Sequence, residues 1–292
     1  MKLLSYGLDN RMEPRLAFSL NGQAIDVMRA SLWMKENRQA QDFLTLASSM
    51  KLILQDWGRS FTLLKQLENV FHSIELEGLS IYDRPVALAE GDIVFFPPVP
   101  DPPSLRFFRT LGSDMSTGFN FGNTQTLFGH GHSQPYNDLT TQPELAAIVA
   151  TGIDANDIQI AGFTIANNWV DIDHTPPDGS EGLSRGIATS LGPYLVTADE
   201  LESQKFGSGY NLDLELRING QSLGEGNFKK MSHNFPEMIR QAAKTRVMPG
   251  DVFCSGSPLL LSSSPCPTKG DLVEVEIQGL SSLSNLLQHT AI

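Results

Sequence analysis

The sequence predicts an α+β, β-rich protein: a small N-terminal part of short strands and helices, then a larger and mainly β C-terminal part. Two Asn-Gly dipeptides, Asn21-Gly22 and Asn219-Gly220, stand between short apolar runs, the strongest short-range signal for a β-hairpin. Between Ala40 and Phe71 the apolar residues recur instead at helical spacing. Five prolines, Pro97, Pro98, Pro100, Pro102 and Pro103, then crowd a stretch where neither a helix nor a central strand can continue. The boundary between residues 1–99 and 100–292 is placed there.

Taken in order, Lys2–Tyr6, Arg15–Leu20 and Ala24–Val27 read as strands, the last two joined by Asn21-Gly22. Phe43, Leu44, Leu46 and Ala47, followed by Leu63, Leu64, Leu67 and Val70, call for two or three short helices. Beyond the prolines, Glu144–Val149, Gly162–Ala166, Tyr194–Thr197, Leu212–Ile218 and Leu272–Ile277 have the β-branched and alternating character of strands. Phe235–Lys244 returns to helical spacing, with Met238, Ile239 and Ala242 on one side. Pro249-Gly250-Asp251 and Lys269-Gly270-Asp271 repeat one device, a turn leading into a strand.

Composition narrows the classes of function. Hydrophobic residues at 40% and charged residues at 18% of 292 are ordinary for a folded protein. A net charge of -12 argues against nucleic acid, which needs clustered Lys and Arg, but leaves small anions open because a few local donors dominate the field inside a cleft. Cys254 and Cys266 are too few for a metal ribbon or a disulfide scaffold, and two reduced thiols are expected. No run approaches the ~20 apolar residues that span a bilayer, and Met1–Asp9 lacks a basic segment followed by an apolar core. A cytoplasmic protein without membrane contact is the expectation.

Four runs together resemble the fumarylacetoacetate hydrolase superfamily: Gly162-Phe-Thr-Ile-Ala-Asn-Asn168, Ala188-Thr-Ser-Leu-Gly-Pro-Tyr-Leu-Val-Thr-Ala-Asp-Glu-Leu201, Ile218-Asn-Gly220 and Met248-Pro-Gly-Asp-Val252. Met1-Lys-Leu-Leu-Ser-Tyr6 and Pro100-Asp-Pro-Pro-Ser-Leu-Arg106 look like its N-terminal part, so the likeness covers nearly the whole chain. The resemblance implies a C-terminal mixed β-sandwich roll, a homodimer, and a small carboxylated substrate. It also implies a divalent cation, Mg²⁺, Mn²⁺ or Ca²⁺, held by acidic side chains.

The positions that match those ligands have changed. They read Phe107, Gln142, Glu144 and Asn168, so Glu144 alone keeps a carboxylate. Gln142 and Glu144 are two apart on an expected strand and so share a face; a one-residue slip in pairing would move them to the other side. Hard cations need charged oxygen ligands, so no metal is expected beyond a weak Mg²⁺ or Mn²⁺ site around Glu144. The family's lid histidine matches Asp114, its lysine Arg185, an arginine Ile172 and a late threonine Ser257.

Glu144, Asp171, His174 and Ser257 are therefore the candidate catalytic residues, and Gln142, Asn168 and Arg185 the candidate substrate-binding ones. His130-Gly131-His132 with Asp138 is either a replacement metal cluster or a polar surface loop. Lys229-Lys230 reads as a solvated pair. The functional expectation is an enzyme acting on a carboxylated 1,3-dicarbonyl or β-keto compound, by C–C hydrolysis, decarboxylation, tautomerisation or cyclisation through an enolate. The alternative is an inactive protein of the same fold that binds a ligand or pairs with an active partner.

Overall fold

A computed structural model describes residues 1–37, 40–111, 118–135, 139–152, 157–171, 187–261 and 267–288. Both Asn-Gly signals become hairpins. Strands β1 (Lys2–Gly7), β2 (Arg15–Leu20) and β3 (Gln23–Asp26) run antiparallel. Asn21 and Gly22 connect β2 to β3 with φ of 53° and 75°, the left-handed pair that suits the twist of two-residue hairpins.

Helix α1 (Val27–Asn37) follows at once, and the Asp26 carboxylate accepts the Arg29 N–H in its first turn at 2.8 Å. The sequence reading did not anticipate this helix. Its buried residues Val27, Ala30, Ser31 and Met34 have helical spacing, but the Ser31 hydroxyl interrupts the apolar stripe. That hydroxyl donates to the Val27 carbonyl at 2.7 Å and accepts the Leu46 N–H at 3.3 Å. Between Ala40 and Phe71, helix starts only at Met50, as α2 (Met50–Gln55) and α3 (Trp57–Phe71).

The larger part supplies β4 (Leu105–Phe108), β5 (Phe119–Gly122), β6 (Leu139–Thr151), β7 (Ile158–Asp171) and β8 (Ala188–Thr197). After these come β9 (Asp213–Ile218), β10 (Gln221–Asn227), helix α4 (Phe235–Ala242), β11 (Val252–Cys254), β12 (Leu272–Ile277) and β13 (Ser281–Gln288). Among the described residues one sheet runs in the order Ala87–Ala89, β3, β2, β1, β8, β7, β6, β11, β4, β5, so β1 joins the N-terminal hairpins to the C-terminal strands. A second sheet holds β13, β12, β9 and β10. No described helix is long and apolar enough to cross a membrane.

The large sheet separates two cores. On one face Phe107, Ala146, Ile148, Ala166, Leu191 and Cys254 pack with residues of the helices, including Ile53, Leu64 and Leu67. On the other, Leu145, Ala147, Phe163 and Phe253 pack with Leu214, Val275 and Leu283 of the second sheet and Met238 of α4. Cys254 is buried, and Cys266 lies outside the described residues.

Arg106 and Asp251, 2% and 1% exposed, form a buried ion pair at 2.9 Å that ties β4 to the Pro249-Gly250-Asp251 turn. Arg106 places all its N–H groups: Nε on Ser104 Oγ, Nη1 on Thr245 Oγ1 and the Ala242 carbonyl, Nη2 on Asp251 and the Arg246 carbonyl. Phe119, Phe121 and Phe253 surround the guanidinium at 5.2 to 5.5 Å. Asp251 also accepts the Met248 N–H at 2.8 Å, and Asp271 accepts the Thr268 N–H at 2.6 Å, so the two Gly-Asp turns share one hydrogen-bond pattern.

Gly129–His132 docks on β13. The Ser284 N–H donates to His130 Nδ1 at 3.2 Å, the Gly129 N–H to His132 Nδ1 at 3.3 Å, and Asn285 Nδ2 to the Gly129 and His132 carbonyls. Both rings accept at Nδ1 and must be neutral there. Burial lowers both pKa values from the ordinary imidazole range, and for His130 the charge of His132 adds to the effect.

Arg106→Met should therefore lower the free energy of unfolding by about 3–5 kcal/mol, because it strands a buried carboxylate; an urea-melt loss under about 1 kcal/mol would contradict the role given to the pair. Depressed imidazole pKa values give stability that is complete above about pH 6.5 and is lost as pH falls through the folded values. His130→Asn keeps an acceptor without a titrating group, so its Tm should fall less than the parent's between pH 7 and 5, whereas an equal fall would show that His130 takes no part.

Candidate active site

Three neighbouring strands position the polar residues. In β6, Gln142 stands opposite Asn168 of β7, which stands opposite Thr189 of β8. One row further, Glu144 faces Ala166, and Ala166 faces Leu191. Directly paired residues share a face, and so do residues two apart, so Gln142, Glu144 and Asn168 form one patch. The irregularity in this pairing falls between Ile148 and Val149, beyond Glu144, and no slip disturbs the patch.

The fourth position arrives from the other side. Ala146 pairs with Cys254 of β11, and Cys254 with Phe107 of β4, which puts Phe107 on that same face. Phe107 is 1% exposed and its ring lies over Gly122, where a Cβ would come within 2.4 Å of Cε2. Gly122 makes the room a phenyl ring needs.

Glu144 is fully buried, and the Gly256 N–H donates to its Oε2 at 2.6 Å. Gly256 follows β11 in a left-handed conformation, φ 85°, where side chains are strained, and a Cβ there would stand 3.0 Å from the Phe108 carbonyl. Asn168 is equally buried, yet among the described residues neither Oδ1 nor Nδ2 has a hydrogen-bond partner. The opposite face behaves differently: Thr141 donates to Asn167 Oδ1, and Trp169 Nε1 donates to Ser190 Oγ at 2.9 Å. Leaving a buried amide group unpaired costs about 1–3 kcal/mol, a cost that a bound water or ligand would offset.

Ser257, next to Gly256, is half-buried and its Oγ accepts the Leu259 N–H at 3.3 Å. The structure thus brings Gln142, Glu144 and Asn168 together and attaches Ser257 to Glu144 through one peptide unit. Asp171 ends β7 opposite Leu139, and its side chain, like His174 and Arg185, lies outside the described residues. Asp114, Asp138 and Ile172 lie outside them as well. The Gly256 N–H escaped the sequence reading because a backbone donor has no residue-type signature; the only hint was a glycine between two serines.

A hard divalent cation asks for six or more oxygen ligands, several of them charged. Here one carboxylate, with one oxygen already engaged by Gly256, is joined by two neutral amides and a phenyl ring. Among the described residues that donor set falls short of what Mg²⁺ or Ca²⁺ requires. No group of three or more His, Cys, Asp or Glu side chains gathers for a metal among the described residues, His130 and His132 included.

The family model for the fumarylacetoacetate (FAA) hydrolase C-terminal domain matches residues 114–288, more than half of the chain. Uncharacterized proteins of Staphylococcus haemolyticus and Staphylococcus aureus are 24% and 25% identical over 226 and 223 residues, covering 68% of this chain and 73% of theirs. In fold, the chain is similar to maleylpyruvate hydrolase from Sphingobium sp. SYK-6, with a TM-score of 0.69 at 16% identity over 99% of this chain and 100% of that one. It is also similar to 5-carboxymethyl-2-hydroxymuconate delta-isomerase from Mycobacterium smegmatis, with a TM-score of 0.63 at 14% identity over 99% and 100%. Gln142, Glu144, Asn168 and Ser257 all fall within the matched span, and the chain belongs to the fumarylacetoacetate hydrolase family.

Proposed function

We propose that this protein is an acid–base enzyme acting on a small carboxylated 1,3-dicarbonyl or β-keto compound without a divalent metal. The observation that carries the reading is the buried Glu144 carboxylate one row along the same face from the Asn168 amide, which has no hydrogen-bond partner among the described residues. A carboxylate and neutral donors on one dry face suit enolate chemistry: a base removes or returns a proton at carbon while hydrogen-bond donors carry the charge that develops on oxygen.

Glu144 is the proton carrier in this scheme. The Gly256 N–H holds one of its oxygens and thereby its orientation. Asn168 Nδ2 and Ser257 Oγ supply donors for an enolate oxygen, and Gln142 orients the rest of the carbonyl system. Asp171, His174 and Arg185 belong to the same proposal as a second proton carrier, a base and a carboxylate anchor. C–C hydrolysis, decarboxylation, tautomerisation and cyclisation all pass through this enolate, and the choice among them is set by what attacks or leaves next. One maleylpyruvate hydrolase structure of similar fold holds manganese(II) and pyruvate; the donor set here supports chemistry that leaves the metal out. Homodimeric assembly and a cytoplasmic location complete the proposal.

Chelator-treated protein titrated calorimetrically with Mn²⁺ up to about 1 mM, the weak end for oxygen-ligand sites, should give no heat of binding. The Phe107→Asp, Gln142→Glu, Asn168→Asp triple variant should bind, and tight binding by the parent would overturn the metal-free reading. Against a panel of acylpyruvates and β-keto acids followed by enol absorbance, Glu144→Gln should lose activity by about 10²-fold or more. A parent inactive on the whole panel would instead favour a ligand-binding protein of this fold.

A further inference from the structure

We infer that Thr164 is a positioning residue for Glu144 and acts through one internal water molecule held between its hydroxyl and the carboxylate. Glu144 and Ala146 of β6 stand directly opposite Ala166 and Thr164 of β7. Residues two apart on a strand share a face, so these four form a rectangle with the polar pair on one diagonal and two methyl groups on the other. Asn168 stands on the next diagonal, one row away, and Glu144 is the corner that both diagonals share. All four side chains of the rectangle are fully buried. Its alanines belong to the core that takes in Ile53, Leu54 and Leu64 of the helices, so the layer over it is apolar.

The Thr164 hydroxyl has one proton to donate and lone pairs to offer, yet among the described residues Oγ1 has no hydrogen-bond partner. A buried hydroxyl left in that condition costs about 1–3 kcal/mol, which valine, of the same shape, would avoid. Buried hydroxyls on the other face of the same strands do pair. Thr141 donates to Asn167, and Ser190 accepts from Trp169 and Gln134 at 2.9 and 3.0 Å.

The space between Thr164 and Glu144 suits one water. Diagonal neighbours across an antiparallel pair stand about 7–8 Å apart. A hydroxyl does not reach across that distance to a carboxylate drawn toward Gly256, whereas a water spans it with a hydrogen bond at each end. The alanine methyls leave room in the middle of the rectangle, and the polar corners give the water a donor and acceptors. Beyond Thr164 the β7–β8 register steps from Phe163 opposite Val196 to Ile165 opposite Gly192, so no residue of β8 stands directly against Thr164. Because β7 and β11 flank β6 on opposite sides, the water and the Gly256 N–H reach the carboxylate from two directions and together fix its plane.

Only the effect on turnover rests on the proposed role of Glu144, so the first test is structural. A high-resolution crystal structure of the parent should show one ordered water within about 3.2 Å of both Thr164 Oγ1 and a Glu144 carboxylate oxygen. Thr164→Val keeps the shape and removes the hydroxyl. It should lack the water and unfold at a lower temperature than the parent. Its Glu144 carboxyl, followed by carbon NMR and assigned with Glu144→Gln, should titrate at higher pH, because a hydrogen bond to the charged form is lost. Thr164→Ser should return that titration to the parent's, which a change in packing alone would not do. On a substrate that the parent turns over, Thr164→Val should lower kcat about tenfold, the worth of one hydrogen bond to a charged group, and leave KM unchanged. A parent inactive on every substrate would remove the catalytic reading, and the water and the titration would still decide this one. No ordered water at that place, or a Thr164→Val variant as stable as the parent with an unmoved Glu144 titration, would overturn the inference.

Discussion

The face that carries Gln142, Glu144 and Asn168 depends on the pairing of β6 with β7 and of β7 with β8. Side chains alternate across a pleated sheet, so the register that sets Gln142 opposite Asn168 also decides that Glu144 shares their face and that Asn167 and Trp169 do not. Apolar residues further along each strand lock this choice. Ala146, Ile148 and Ala166 continue the face beneath the helices, while Leu145, Ala147 and Ile165 face the second sheet. Reversing one face would drive two cores into the wrong environments.

The Arg106–Asp251 pair performs the matching task for the opposite flank. It joins β4 to the turn entering β11, the two strands that bring Phe107 and the Ser255–Ser257 segment to the face. Burial pushes the Asp251 carboxyl up and the Arg106 guanidinium down from their usual ranges. The dense set of hydrogen bonds around them offsets that cost and makes the geometry hard to exchange for any other. Phe107 and Arg106 are neighbours in sequence on opposite faces of β4, one packed over Gly122 on the side of Glu144 and the other anchoring the strand from behind.

The contrast between the two sides of β7 carries the functional argument. Asn167 and Asn168 are adjacent and both buried, yet among the described residues only Asn167 finds a protein partner. A protein tolerates an orphaned amide in its interior where a ligand or water completes it. Among the described residues Glu144 is the one carboxylate of this face, and the neutral amides beside it both donate and accept hydrogen bonds.

Strand periods, Asn-Gly turns and the proline cluster are local properties, so the sequence by itself determined the hairpins, the helix at Phe235, the β-rich class and the residue types at Phe107, Gln142, Glu144 and Asn168. Helix α1 was hidden because the Ser31 hydroxyl finds its partners only after folding. The long strands β6 and β7 looked shorter than they are because Pro143, Asn167 and Asn168, types that strands disfavour, interrupt them and are tolerated only where neighbours pair with them. Tertiary structure alone decided that a backbone N–H would hold Glu144 and that Thr164 would stand diagonally across from it. Backbone donors leave no mark in residue identity, and distant segments meet only through the packing of the whole chain.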